Sequence, residues 1–211
     1  MNEPYIKWPL DHLRDEAIQE ALAYIKNLKQ RKPIITFEGY WTEAVNRLEL
    51  DGLCLEFGVW KGYSINFFAR HLPKRIFYGF DSFLGLKDHW EGGCRGPKWF
   101  DEQGHMPEVL PNVRLVKGWF DQTLPKFFNK HKDPIAFMYI DCDTYQAAKD
   151  VFDHIDKDRI MKGTLILLDD YMCYYGWREN VYKAFQEWIK KHKLKYEYEM
   201  FCKQTALVKI I

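Results

Sequence analysis

Five short apolar runs, at residues 53–56, 75–80, 113–116, 135–140 and 164–168, are separated by helical stretches and one long connection. Strands joined through helices must lie parallel with right-handed crossovers, because a tight turn cannot bring the chain back in the same direction. The fourth run, IAFMYI, is apolar throughout and reads as a strand buried on both faces. Two further alternating runs, 196–201 and 206–210, have only a short turn between them and must pair antiparallel. The expected fold is α/β: a doubly wound, mostly parallel, seven-stranded sheet that closes on an antiparallel C-terminal hairpin.

The sequence is 211 residues long, 47% hydrophobic and 29% charged, which suits one domain with a substantial core. Thirty-one Lys plus Arg stand against thirty Asp plus Glu, so charge gives no case for nucleic acid or an anionic membrane as partner. No apolar run approaches the roughly twenty residues that span a bilayer, and the amino terminus, MNEPYIKWPLDHLRDE, does not read as a secretion signal. Five cysteines without zinc-like spacing fit free thiols in a reducing cytoplasm. Residues 11–29 carry Leu13, Ile18, Ala21, Leu22, Ile25 and Leu28 at helical spacing until Pro33, and 40–48 form a second helical stretch. This helical preface, residues 1–50, is expected to cover a sheet edge; lining a pocket or forming a homo-oligomer are the alternatives.

Chemistry concentrates where the strands end. Residues 55–70, LEFGVWKGYSINFFAR, read as strand, glycine turn and helix, with Gly58 and Gly62 free to take positive φ and Ser64 near the start of the helix. The unpaired N–H groups of that helix suit an anion or carboxylate, although any strand-to-helix turn in such a sheet can use two glycines. The second run ends in Asp81, at the distance from the turn where an acid accepts hydrogen bonds from ribose hydroxyls; Asp81 followed by Ser82 also suits a helix cap. Residues 83–111 form a connection rich in Gly, Pro and Trp, long enough to be a functional lid, with Trp90, Trp99, Phe100 and Met106 favouring order and His89 and His105 available to a substrate. The third run leads to Gly118 and Trp119, where a glycine and an aromatic can embrace a flat base. The fourth and fifth end in Asp141 with Asp143 and in Asp169 with Asp170. Carboxylates converging on one rim repel and raise one another's pKa, a conflict that a hard divalent cation resolves. Magnesium suits oxygen ligands, whereas zinc wants His or Cys. Helix capping is the competing role for Asp143 and Asp170.

Taken in order, LEFGVWKGYS, YGFDSFLGL, LVKGWFDQTLP, YIDCDTY and ILLDDY resemble the S-adenosylmethionine-dependent O-methyltransferases of the macrocin O-methyltransferase (TylF-like) family, with a Rossmann-like sheet. The Gly62-Tyr63-Ser64 turn and the acids after strands four and five are also similar to the catechol O-methyltransferases. The resemblance covers residues 51–211, the implied S-adenosylmethionine-binding domain, with the lid at about 83–111. It implies that Glu56 and Gly58 lie beside the methionine part of the cofactor, with Gly62 in the turn and Tyr63 and Ser64 near its carboxylate. It places Asp81 on the ribose, Gly118 and Trp119 at the adenine, and Asp141, Asp169 and Asp170 on magnesium, with Asp141 also the general base. Gln146-Ala147-Ala148 departs from the family's usual Glu-Ser-Thr, and the lid sequence GGCRGPKWF is the chain's own. The expected activity is magnesium-assisted methyl transfer to a hydroxyl of a small molecule, sugar or glycan. A nicotinamide-dependent oxidoreductase and a non-catalytic cofactor-binding protein are the rivals. The first lacks a Gly-x-Gly-x-x-Gly fingerprint here.

Overall fold

The computed structural model describes residues 9–28, 39–93 and 96–211. Seven strands, β1 (Leu53–Phe57), β2 (Phe77–Asp81), β3 (Val113–Lys117), β4 (Ile135–Ile140), β5 (Ile160–Leu168), β6 (Tyr196–Cys202) and β7 (Thr205–Ile210), form one sheet in the order β3-β2-β1-β4-β5-β7-β6. The first five are parallel and β7 runs antiparallel to both β5 and β6, as the apolar runs predict. Strand order reverses between β1 and β4, which opens a crevice at their carboxyl ends.

Among the described residues, six α-helices pack on the sheet: α1 (Pro9–Asn27), α2 (Tyr40–Asn46), α3 (Tyr63–His71), α4 (Phe120–Lys130), α5 (Tyr145–Asp153) and α6 (Val181–His192). One face buries α4, α5 and α6 together with Ala17 and Ala21 of α1. The other buries Tyr40 and Ala44 of α2 against Ile65, Phe68 and Ala69 of α3. The two preface helices therefore sit on opposite faces. Tyr24 of α1 meets Tyr198 of the edge strand β6 through their hydroxyls at 2.6 Å, while α2 faces α3 beside the crevice, with Trp41 against Phe67 at 5.2 Å. Pro33, the expected stop of the first helix, and Cys94 lie outside the described residues; Cys54, Cys142, Cys173 and Cys202 are free thiols.

β4 is buried at every residue, as its composition requires. β5 starts four residues earlier than its apolar run suggests. The register against β4 jumps between Ile135 and Phe137, and Gly163 takes φ +99°. The polar stretch before Thr164 is thus an irregular strand start that period-two patterning does not reveal. The fold is Rossmann-like, and no helix among the described residues is long and apolar enough to cross a membrane.

Candidate active site

The glycine turn is built by contact between strand ends. Asp141 N–H donates to Phe57 O at 2.9 Å. Gly58 at φ +91° lies so close to β4 that a Cβ there would stand 1.7 Å from the Asp141 carbonyl oxygen. Gly62, at φ +76°, precedes α3 with no side-chain cap. Asp81 clamps the turn from β2: its Oδ2 accepts from Val59 N and Trp60 N, both at 2.8 Å, and its Oδ1 from Phe83 N at 2.7 Å. No helix follows Asp81, so it closes a turn rather than capping a helix.

A cleft opens above this turn. Gly58, Tyr63, Ser64, Asp81, Gly118, Trp119 and Asp141 line it, joined by Phe100 from the lid and Trp41 from α2. Glu56 and Gly62 do not line it. Glu56 is 1% exposed and lies behind Ser64, whose hydroxyl donates to Glu56 Oε1 at 2.8 Å. Burial pushes its carboxyl up to about 8, against the partial relief that Ser64 gives. Three buried polar atoms here have no protein partner: Glu56 Oε2 and the indole nitrogens of Trp41 and Trp60. Unpaired buried groups of this kind are costly unless water or a ligand completes their hydrogen bonding.

The acids gather at the neighbouring strand ends. Carboxylate oxygens of Asp141, Asp169 and Asp170 lie within 4.8 Å of one another. Burial first, then the charges of Asp169 and Asp170, hold Asp141 well above the ordinary carboxylate range. Burial also raises Asp169, opposed by a hydrogen bond from Thr205 Oγ1 to its Oδ1 at 2.5 Å. Asp143 and Asp170 take left-handed backbone, φ +62° and +45°, an uncommon choice for non-glycine residues that often accompanies functional sites. Asp143 does not cap α5: Thr144 is the N-cap and accepts from Ala147 N at 3.2 Å. Asp170 precedes a loop rather than a helix.

Asp141 alone belongs to both the cleft and the acid cluster. His89 faces Glu91, and His105 bonds the Glu102 carbonyl; neither lines the cleft. Trp41 and Thr205 escaped sequence reasoning. Trp41 sits in a stretch with no motif, and Thr205 acts through a cross-strand contact that has no local signature.

A family model described as a methyltransferase domain matches residues 55–171, more than half of the chain. Comparison with curated proteins gives no match. Among solved structures, the chain is similar to the calicheamicin methyltransferase CalS11, with 20% identity and a TM-score of 0.62 over 97% of this chain and 94% of that chain. It is also similar to the mycinamycin-pathway methyltransferase MycE, at 13% identity and a TM-score of 0.53, covering 98% of this chain and 64% of that one. An O-methyltransferase from Bacillus cereus matches at 14% identity and a TM-score of 0.52, over 98% of this chain and 93% of that chain. At these identities the structural likenesses speak to the fold. The matched segment runs from the first strand to Tyr171, just past the acid pair after β5, and takes in the glycine turn, the acids and all of the cleft's lining but Trp41: the chain belongs to the methyltransferase-domain family and is a methyltransferase.

Proposed function

We propose that the protein transfers a methyl group from S-adenosylmethionine to a hydroxyl oxygen of a small molecule or sugar, with a magnesium ion at the acid cluster, in the manner of TylF-like enzymes. The observation that carries this reading is the double membership of Asp141, which edges the cofactor cleft and stands among the three clustered carboxylates. Two relatives lend support. CalS11 is described as a TDP-rhamnose 3'-O-methyltransferase, and MycE as a complex with Mg, S-adenosylhomocysteine and mycinamycin VI.

The residues present fit both groups. An α-amino acid offers a carboxylate acceptor, and the unpartnered indole N–H groups of Trp41 and Trp60 in the cleft wall offer the complementary donors; Glu56 stands one layer behind, through Ser64. Asp81 has already accepted three backbone N–H bonds, which leaves it capacity for about one ribose hydroxyl. Gly118 and Trp119 line the cleft just beyond the end of β3 and are the residues offered to the adenine. Asp141, Asp169 and Asp170 supply only oxygen ligands, the donor set magnesium prefers. When bound, the sulfonium supplies an electrophilic methyl carbon, and the cation supplies Lewis acidity toward an acceptor oxygen. The chain's own part is alignment and proton removal. The turn and the aromatic walls fix the donor's direction, and Asp141, once ionised, stands where it can take the acceptor's proton.

The test is replacement of Asp141 or Asp169 with Ala. Each variant is expected to lose at least about a hundredfold in turnover while S-adenosylhomocysteine affinity, read by calorimetry, stays within a few-fold. Full activity in both would sink the mechanism.

A further inference from the structure

We infer that Thr205 is a positioning residue for the metal site, holding the Asp169 carboxylate in its ligating orientation from the turn of the C-terminal hairpin; the inference rests on the magnesium reading above. The topology explains why a residue so late in the chain reaches the site. β7 runs antiparallel to β5, with Leu168 opposite Ala206, so the next pair outward sets Asp169 opposite Thr205 at the rim where the parallel strands end. The tight turn between β6 and β7 delivers it there, with Lys203 in left-handed backbone at φ +51°.

Three bonds join that turn to the acid loop. Thr205 Oγ1 donates to Asp169 Oδ1 at 2.5 Å, and Gln204 O accepts from Tyr171 N at 2.7 Å and Met172 N at 3.2 Å. Asp170, between the anchored residues, takes φ +45°. Thr205 is itself 4% exposed, so water does not readily replace its hydroxyl. A carboxylate with one oxygen held by a buried donor no longer rotates freely about its Cβ–Cγ bond. That bond fixes the orientation in which the Asp169 carboxylate meets Asp141 and Asp170. Partners behind a metal ligand commonly change metal affinity by ten- to a hundredfold when removed.

The experiment compares the full-length protein with Thr205→Val, which keeps the shape and removes the hydroxyl, and with Thr205→Ser, which keeps the hydroxyl. Manganese binding is read by titration of the free ion, and S-adenosylhomocysteine binding by calorimetry, with Asp169→Ala as the control for the site. The expected result is one manganese site in the native protein that Asp169→Ala abolishes, weakened about tenfold or more in Thr205→Val and restored to within about threefold in Thr205→Ser, with the cofactor product bound equally by all. Equal manganese affinity in native and Thr205→Val protein overturns the inference and leaves the metal reading standing. Loss of both ligands in Thr205→Val, or equal weakening in the Ser variant, also overturns it, since the role would then be structural. No manganese binding in the native protein, or binding that survives Asp169→Ala, overturns the metal reading and this inference with it.

Discussion

Glu56 holds its proton to a pH far above the ordinary range of a glutamate. Its carboxyl is raised to about 8 by burial, beside the charge of Asp81 and with Ser64 as a donor. An unfolded glutamate releases its proton near its ordinary value of 4.5, so between there and about 8 the folded protein binds a proton that the unfolded chain does not. Stability must fall as pH rises through that window, and the loss is complete above it. On this account Glu56→Gln loses part of the pH dependence and gains on the order of a few kcal/mol over the native protein at pH 8, relative to the difference at pH 5. Urea midpoints at the two pH values check it; parallel curves for both proteins would show that Glu56 is ionised when folded. The acidic end of the first apolar run, Glu56 two residues before Gly58, was legible in the sequence. Its place behind Ser64 was not, because period-two patterning gives the face of a residue and not the depth of a cleft. The same limit hid the triple backbone clamp on Asp81, whose spacing from the turn marks an acid without saying what it grips.

At the scale of elements, the strands and most helices follow from apolar periodicity, while the connections follow from contacts that only the assembled sheet creates. The lid shows this. Gly92 at φ +71° lies so close to the loop after β5 that a Cβ would stand 1.6 Å from Tyr175 O, and Asn180 Nδ2 donates to Glu91 O at 2.8 Å. Its far end meets the glycine turn, where Phe100 packs on Trp60 at 5.6 Å. The described parts of this connection thus contact the loop after β5 at one end and the glycine turn at the other. Gly92→Ala should dislodge the first anchor and loosen the backbone around Lys98, already exposed, so that trypsin cleaves this connection at least several-fold faster with the core fragment intact. An unchanged digestion pattern would mean that the lid does not depend on that contact. The composition of residues 83–111 gave the expectation of an ordered lid through its aromatics. The latch at Gly92 was hidden, because a glycine in a glycine-rich stretch carries no sign of which backbone it must approach.

For the whole molecule, one reversal of strand order decides where chemistry occurs. The chain leaves β1 and β4 toward opposite sides of the sheet, Gly58 lets their carboxyl ends approach to backbone contact, and Asp141 stands at the junction of cleft and acids. The parallel order and the closing hairpin were readable from connection lengths. The use of the hairpin turn as a brace for Asp169 was not, since it depends on β7 lying beside β5 rather than β6 doing so. The assignment of the cleft to S-adenosylmethionine is the claim on which the acceptor, the metal and the roles of the individual residues all depend. Calorimetric titration of the native protein with S-adenosylhomocysteine and, separately, with NADH tests it most directly. The account predicts one micromolar site for the first and none for the second; binding of NADH with silence toward S-adenosylhomocysteine would contradict it.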